Sequence, residues 1–499
     1  MYFEDKILVG SNDATSVYLL PKLANRHGLI AGATGTGKTI TLKALAESFS
    51  DMGVPVFLAD MKGDVSGLAK TGGANDKINQ RIEQYDLKSK GYEFKSYPVE
   101  FWDLFGEKGL PIRVTISQMG PTLLSKILNL TEAQEAILNV VFKIADNESL
   151  LLIDIKDLKS MIKHVTDNRT QYESDYGAIS TRSANTIIRS LLTLEEQGAN
   201  IFFGEPALEL DDLITCDDEG RGIINILDAV KLSRSPDLYS TFLLWLLTDL
   251  YETLPEVGDL DKPKFVFFFD EAHLLFDNLS PSFNQKIEQV IRLIRSKGVG
   301  LYFISQSPSD IPEVILSQLG NRIQHALRAY TPKEQKAVKV ASETFRPNPE
   351  FKTLDEITNL AIGQALVSML DNDGVPSIVE KVDIIPLQSD SSPISDEFRN
   401  EIIGMSVYKD KYMEAFDRQS AYECLAQRIE TASANENVNN NMDFNPDAQK
   451  TPSSKTSGTG TPKRQQKSEM EKMASTAMNT VARELTRQIT RGLFKQLKF

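Results

Sequence analysis

The chain has 499 residues, 41% hydrophobic and 25% charged, the balance of a soluble globular protein with a core large enough for more than one domain. Its formal net charge of −14 excludes a surface that is basic all over, yet it leaves open a cleft or ring that gathers lysines on one wall. The two cysteines, Cys216 and Cys424, exclude a disulfide framework, and with four dispersed histidines (His27, His164, His273, His325) they show no zinc-ligand spacing.

Met1-Tyr2-Phe3-Glu4-Asp5 lacks the basic start and apolar stretch of a signal segment. The most apolar helical run, Phe242 to Leu247, is too short to span a bilayer, so no transmembrane segment is expected and the expected location is the cytoplasm. Residues 1–27 read as a short lead, followed by an apolar strand, Gly28-Leu29-Ile30-Ala31. Directly after it comes Gly32-Ala33-Thr34-Gly35-Thr36-Gly37-Lys38-Thr39, a complete G-x-x-x-x-G-K-[ST] loop, and then a helix-like stretch from Thr39 to Phe49. Strand, loop and helix in that order are the context a phosphate-binding loop requires. The glycines let backbone N–H groups converge on a phosphate chain, and the helix N-terminus adds a favourable dipole. In this reading Lys38 neutralises the β- and γ-phosphates and the Thr39 hydroxyl ligates Mg²⁺.

Further strands are expected at Val54–Ala59, Gly222–Leu227, Lys264–Phe269, Val299–Ser305, Arg322–Leu327 and Ala365–Leu370. Continuous apolar runs alternating with helices predict an α/β fold with a mainly parallel sheet buried on both faces. The core is expected over 28–385, with 61–220 a largely helical insertion serving as a lid, an oligomer contact or a surface for a protein partner. Within it, Thr131-Glu132-Ala133-Gln134 caps a helix reaching to about 145, and a second helix is expected over 183–197. Asp60-Met61-Lys62-Gly63-Asp64 follows the second strand, where charged residues face either the nucleotide crevice or plain solvent.

Phe265-Val266-Phe267-Phe268-Phe269 ends in Asp270-Glu271. Beside a phosphate loop, Asp270 would hold Mg²⁺ through water and Glu271 would orient and deprotonate the attacking water. Gln306, at the tip of the next strand, suits a γ-phosphate sensor or a surface amide. The tract Ile291 to Gly298 places Arg292 and Arg295 at a helix end near the site, where one would stabilise the transferring phosphoryl or merely suit the helix dipole. His273 completes Asp-Glu-Ala-His, but the next strand ends Ile304-Ser305-Gln306-Ser307 without Ser-Ala-Thr, so a DEAH-type RNA helicase is rejected and His273 is read as structural.

A C-terminal helical extension is expected over 386–430, and a flexible linker over 431–467 from its Asn, Ser, Thr, Gly and Pro content. The tail, 468–499, reads as a basic amphipathic helix. Met473, Ala477, Val481, Leu485, Ile489, Leu493 and Leu497 form one ridge and Arg483, Arg487, Arg491 and Lys495 another. It would pack, self-associate, or dock on a partner, a membrane or nucleic acid.

Taken together, several strings resemble the HerA/FtsK superfamily of ring-forming ATPases, most closely the bacterial proteins with a HerA-like C-terminal domain. They are Asn25 to Ile30 running into the phosphate loop, Ala59 to Asp64, Phe268 to Leu275, Ile291 to Gly300, Ser305-Gln306, and Leu319 to Ala329. The resemblance implies a RecA-like core, ATP and Mg²⁺, and a hexamer with its sites at subunit interfaces. It also implies double-stranded DNA as the partner that is translocated or unwound. A ring of this kind needs an arginine donated across the interface, for which Arg26, Arg295, Arg322 and Arg328 are the candidates. The nuclease-docking N-terminal β-barrel of HerA proper and the winged helix of FtsK have no counterpart in the sequence. The leading expectation is therefore an Mg-ATP hydrolase driving a DNA motor. The alternative is an ATP-gated scaffold that recruits a protein or membrane partner, and a small-molecule kinase is weaker because Asp-Glu suits water activation.

Overall fold

Buried β-strands dictate the architecture. The computed structural model describes residues 1–276 and 281–442, and one compact unit spans Met1–Leu425. Three short strands open the chain, β1 (Tyr2–Phe3), β2 (Lys6–Ser11) and β3 (Ser16–Leu19). The central strands are β4 (Gly28–Ala31), β5 (Val56–Asp60), β6 (Val99–Asp103), β7 (Leu110–Pro111), β8 (Ile224–Asp228), β9 (Phe265–Phe269) and β10 (Val299–Ser305). They are followed by β11 (Asn321–Gln324), β12 (Gln364–Ser368) and β13 (Glu380–Ile384). All belong to one 13-stranded sheet of order β1-β2-β13-β12-β11-β4-β10-β9-β5-β8-β6-β7, with β3 beside β2. From β11 to β7 every pairing is parallel, and from β11 back to β1 every pairing is antiparallel.

Every residue of β4, β5, β8, β9 and β10 is buried, as parallel strands covered by helices on both faces must be. The centre is aromatic: Phe269 stacks on Phe303 at 5.1 Å and 9°, and Phe268 meets Tyr302 at 5.2 Å. Gly28 is required beside them, because a Cβ there would lie 2.5 Å from the Tyr302 ring.

All seven expected strands are present. The expected helices appear as Glu132–Asn147, with Thr131 and Gln134 forming a capping box, and Thr181–Glu196. Three stretches differ. The lead, residues 1–27, contributes β1–β3 and joins the sheet through Asp383↔Ser11. Residues 61–220 supply helices but also β6, which extends the sheet beyond β8. Residues 431–442 continue the helix Ala421–Met442 into the expected linker; the stretch holds neither Gly nor Pro, and the first proline is Pro446. The rest of the linker and the tail helix at 468–499 lie outside the described residues.

Two buried histidines tie elements together as neutral rings. At the amino edge of β4, His27 Nε2 lies 2.8 Å from the Ile291 carbonyl, while Nδ1 accepts the Leu301 amide at 3.1 Å. His325 Nδ1 lies 3.0 Å from the Gln364 carbonyl and Nε2 lies 2.8 Å from the Thr41 hydroxyl. Burial pulls both pKa values down to about 4, from an unperturbed 6.5. As pH falls below 6.5 the unfolded chain binds protons that the folded state refuses, so stability is lost progressively down to about pH 4, by up to about 3 kcal/mol per histidine. Glu100 and Asp270, both raised to about 7, act with the opposite sign, so the comparison must be against a variant. The urea-midpoint gap between wild type and His27→Gln should therefore narrow steadily from pH 6.5 to 4.5; a constant gap would contradict the buried neutral ring.

Candidate functional site: a phosphate loop facing a carboxylate pair

The loop Gly32–Gly37 leaves the carboxyl end of β4 and enters helix α1 (Lys38–Asp51), where Gly37 adopts φ 116° at the N-cap. Its floor is made by neighbouring strands. The Gly32 amide donates to the Ser305 carbonyl at 3.3 Å, and the Ala33 amide donates to the Ala326 carbonyl at 2.9 Å. The Gly363 amide donates to Thr36 O at 3.2 Å. His325 lies directly beneath, so close that a Cβ on Gly32 would sit 2.5 Å from its Cβ. Thr34 and Gly35 remain exposed at the tip, and nothing lies within 4 Å of a Cβ built on Gly35. Backbone can thus approach a ligand closely there.

Lys38 is 7% exposed and donates to the Gly32 and Ala33 carbonyls at 2.5 and 3.1 Å. Burial, and then the charge of Lys62, hold its ammonium below the ordinary lysine range. Thr39 is half-buried in the first turn of α1.

The carboxylates come from β9, which is separated from β4 by β10 alone. Four aspartates end neighbouring strands. Asp103 pairs with Asp228, Asp228 with Asp60, and the β5–β9 register carried two residues past Leu58↔Phe268 brings Asp60 level with Asp270. Three of them are consumed locally. Asp60 accepts the amides of Lys62, Gly63, Asp64 and Val65 at 2.7–3.3 Å. Asp103 accepts those of Phe105, Glu107 and Lys108 at 2.8–2.9 Å. Asp228 takes the Val230 amide and Arg399. Asp270, among the described residues, accepts the amide of Glu271 alone, at 3.0 Å. Burial first, and then the neighbouring Glu271, raise its carboxyl to about 7. An anion so poorly compensated suits a cation.

Glu271 turns out of the strand at φ 47°, ψ 51°, a left-handed conformation costly for a side-chain-bearing residue. Its Oε1 lies 3.5 Å from Lys62 Nζ; its Oε2 is buried with no hydrogen-bond partner among the described residues, and His273 Nδ1 stands 3.6 Å away. His273 is thus partly exposed beside the carboxylate. Gln306 is exposed one residue beyond Ser305, between the loop and the carboxylate pair. Among the described residues no group of three His, Cys, Asp or Glu side chains could hold a metal. A nucleotide-borne Mg²⁺ needs no such cage: the Thr39 hydroxyl and the Asp270 carboxylate are hard oxygen donors that fit it.

The arginines divide between the two edges of the sheet. Arg26 immediately precedes His27 and β4, Arg295 precedes β10, and the charges of both reach His27. They stand at the amino edge, a strand length of about 20 Å along the seven residues of β10 from the phosphate loop. Arg292 belongs to the same approach to β10. The expectation that Arg292 and Arg295 lie near the chain's own site is therefore corrected: strand direction carries them to the far side. Arg322 is spent on the carbonyls of Leu319, Thr344 and Leu316 at 2.6–2.9 Å. Arg328 is exposed and follows β11 on the loop side, two residues past the Ala326 carbonyl that holds Ala33. Motif reading gave His325 no role beyond that of a dispersed histidine and did not single out Gly363.

The contrast between aspartates is testable. Asp60→Ala should lower unfolding stability by about 3 kcal/mol, because buried amides lose their acceptor. Asp270→Asn should leave the urea midpoint unchanged or raised, since it removes an uncompensated charge. Equal effects of the two substitutions in chemical denaturation would refute the distinction.

Comparison with known proteins agrees with this geometry. A probable helicase of Methanocaldococcus jannaschii is 24% identical over 367 residues, covering 71% of this chain and 66% of the relative. The DNA double-strand break repair helicase HerA of Sulfolobus acidocaldarius is 21% identical over 380 residues, covering 72% of this chain and 65% of the relative. The chain thus spans just under two thirds of the length of these relatives. Among solved structures, the plasmid coupling protein TrwB with a non-hydrolysable ATP analogue superposes with a TM-score of 0.50 at 16% identity, covering 79% of this chain and 92% of that one. The fold is accordingly the expected RecA-like α/β type. The model described as helicase HerA-like C-terminal matches residues 5–498, and the chain belongs to that family.

Proposed function

We propose that the protein hydrolyses ATP with Mg²⁺ as a ring-forming motor of the HerA/FtsK type. The observation that carries the reading is the meeting of Lys38, Thr39, Asp270, Glu271 and Gln306 at one carboxyl edge, with a buried Glu271 oxygen that has no hydrogen-bond partner among the described residues. The backbone amides of Gly32–Gly37 and the Lys38 ammonium bind the phosphates. Thr39 and Asp270 would hold Mg²⁺, which would neutralise charge on the phosphates. Glu271 takes the proton of the attacking water, and Gln306 positions the γ-phosphate.

Arg26 and Arg295 act in trans. They stand at the edge of the sheet opposite their own phosphate loop, so in this reading a second copy receives them, and a head-to-tail arrangement closes into a ring, here a hexamer. Arg328 stays with its own site. The curated relatives named as helicases and as a DNA import protein support double-stranded DNA as the partner. No helix among the described residues is long and apolar enough to cross a membrane; a cytoplasmic location is part of the proposed reading. The net charge of −14 leaves the partner open, so the second reading is a scaffold ATPase recruiting a protein or membrane surface without DNA.

Glu271→Gln should bind ATP with near wild-type affinity while turnover falls by roughly 10²–10⁴-fold. Linear double-stranded DNA should stimulate the wild type several-fold; turnover that depends on Glu271 but ignores DNA would select the scaffold reading. Mixing inactive Arg295→Ala with inactive Glu271→Gln should restore part of the activity, because one mixed interface combines an intact Glu271 with an intact arginine. No recovery with either Arg295→Ala or Arg26→Ala would exclude the trans assignment.

A further inference from the structure

Lys62 belongs to a turn that motif reading leaves between crevice and solvent. Strands β5 and β9 are parallel neighbours, paired Val56↔Val266 to Leu58↔Phe268, so the turns leaving them emerge side by side. The turn after β5 is rigid. The Asp60 carboxylate, in a residue only 2% exposed, gathers four successive amides from Lys62 to Val65, and Gly63 accepts the positive φ of 77° that the bend requires. A turn so fixed sets where its one cationic side chain leaves the backbone. Lys62 Nζ accordingly stands 3.5 Å from Glu271 Oε1.

Two further observations show what that ammonium faces. Its charge is felt by Lys38 and by Asp270 as well as by Glu271, so it stands among the phosphate-binding and carboxylate groups together. Among the described residues the other oxygen of Glu271 has no hydrogen-bond partner, and His273 Nδ1 stands 3.6 Å from it.

We propose that Lys62 is a positioning residue of the hydrolytic centre, its ammonium orienting Glu271 through Oε1 and contacting the terminal phosphate of a bound nucleoside triphosphate. The proposal rests on the hydrolase reading above. The ammonium groups of Lys62 and Lys38 repel, and an anion received between them relieves the repulsion. A γ-phosphate is that anion, whereas a diphosphate lacks it. Lys62 retains 44% side-chain exposure, so it can move between the carboxylate and the phosphate. Contact with the phosphate lightens its hold on Oε1 and frees Glu271 to orient water; loss of the phosphate restores the hold. Lys62 thereby links the presence of a third phosphate to the readiness of the base. A structural ion pair of this exposure contributes little to stability, so removing it should not unfold the protein.

The test uses the full chain with Lys62→Ala and Lys62→Arg. Both should unfold at the wild-type urea midpoint. Lys62→Ala should lower kcat for ATP by roughly 10–100-fold, in the range expected when one transition-state contact is lost, and Lys62→Arg should recover part of it. Binding of the non-hydrolysable analogue ADPNP should weaken roughly tenfold while ADP binding stays unchanged, as for loss of one charge-assisted contact. On a Glu271→Gln background, Lys62→Ala should lower turnover by less than it does in the wild type, because only the phosphate contact is then left to lose. Wild-type kcat and an unchanged ADPNP-to-ADP affinity ratio in Lys62→Ala would overturn the proposal. A wild type without Glu271-dependent turnover is the separate failure of the hydrolase reading. The affinity ratio then still decides the phosphate contact: lowered supports it and unchanged refutes it.

Discussion

The parallel register of β11, β4, β10, β9 and β5 is the constraint on which the rest of this molecule depends. It brings Gly32, Gln306, Asp270 and the turn after Asp60 to one edge of the sheet and leaves Arg26 and Arg295 on the other. Because those strands are buried on both faces, their mutual register is held by packing across the whole core. A one-residue slip of β9 would turn each phenylalanine of Phe267, Phe268 and Phe269 to the opposite face and move the acid pair out of level with the loop.

Along that edge one device is used repeatedly and once withheld. An aspartate closing a parallel strand is a good acceptor for the amides of the following turn, and Asp60, Asp103 and Asp228 serve their turns in this way. Asp270 occupies the same place but is answered by one amide among the described residues, with Glu271 forced into a left-handed backbone beside it. A charge left uncompensated in a well-packed protein marks a place where selection has favoured chemistry over stability.

Much of this was legible in the residues. The loop Gly32–Thr39 and the pair Asp270-Glu271 stand out because their chemistry demands those types in that order after continuous apolar strands. β6 and β13 were missed because Glu100, Lys381 and Asp383 interrupt the apolar pattern; Glu100 is nevertheless buried, its carboxyl raised to about 7 by that burial. The two-sided disposition of the arginines was not legible, because it depends on strand direction, and a string of letters carries no direction across a sheet. His325 was invisible for a related reason, since its partners Thr41 and Gln364 belong to distant parts of the chain.

That separation has a consequence for how the protein is made. Thr41 and His325 are 284 positions apart, and Glu47 on α1 holds the Ser389 amide from a distance of 342 positions. The loop sequence therefore leaves the ribosome long before its floor exists, by roughly 15–60 s at ordinary rates of synthesis. Through that interval the emerging chain has the letters of a nucleotide site without the surface that shapes it. In the proposed reading, competence to bind nucleotide comes only with the last strands of the sheet, so a prematurely terminated chain would be unable to draw on the cell's ATP.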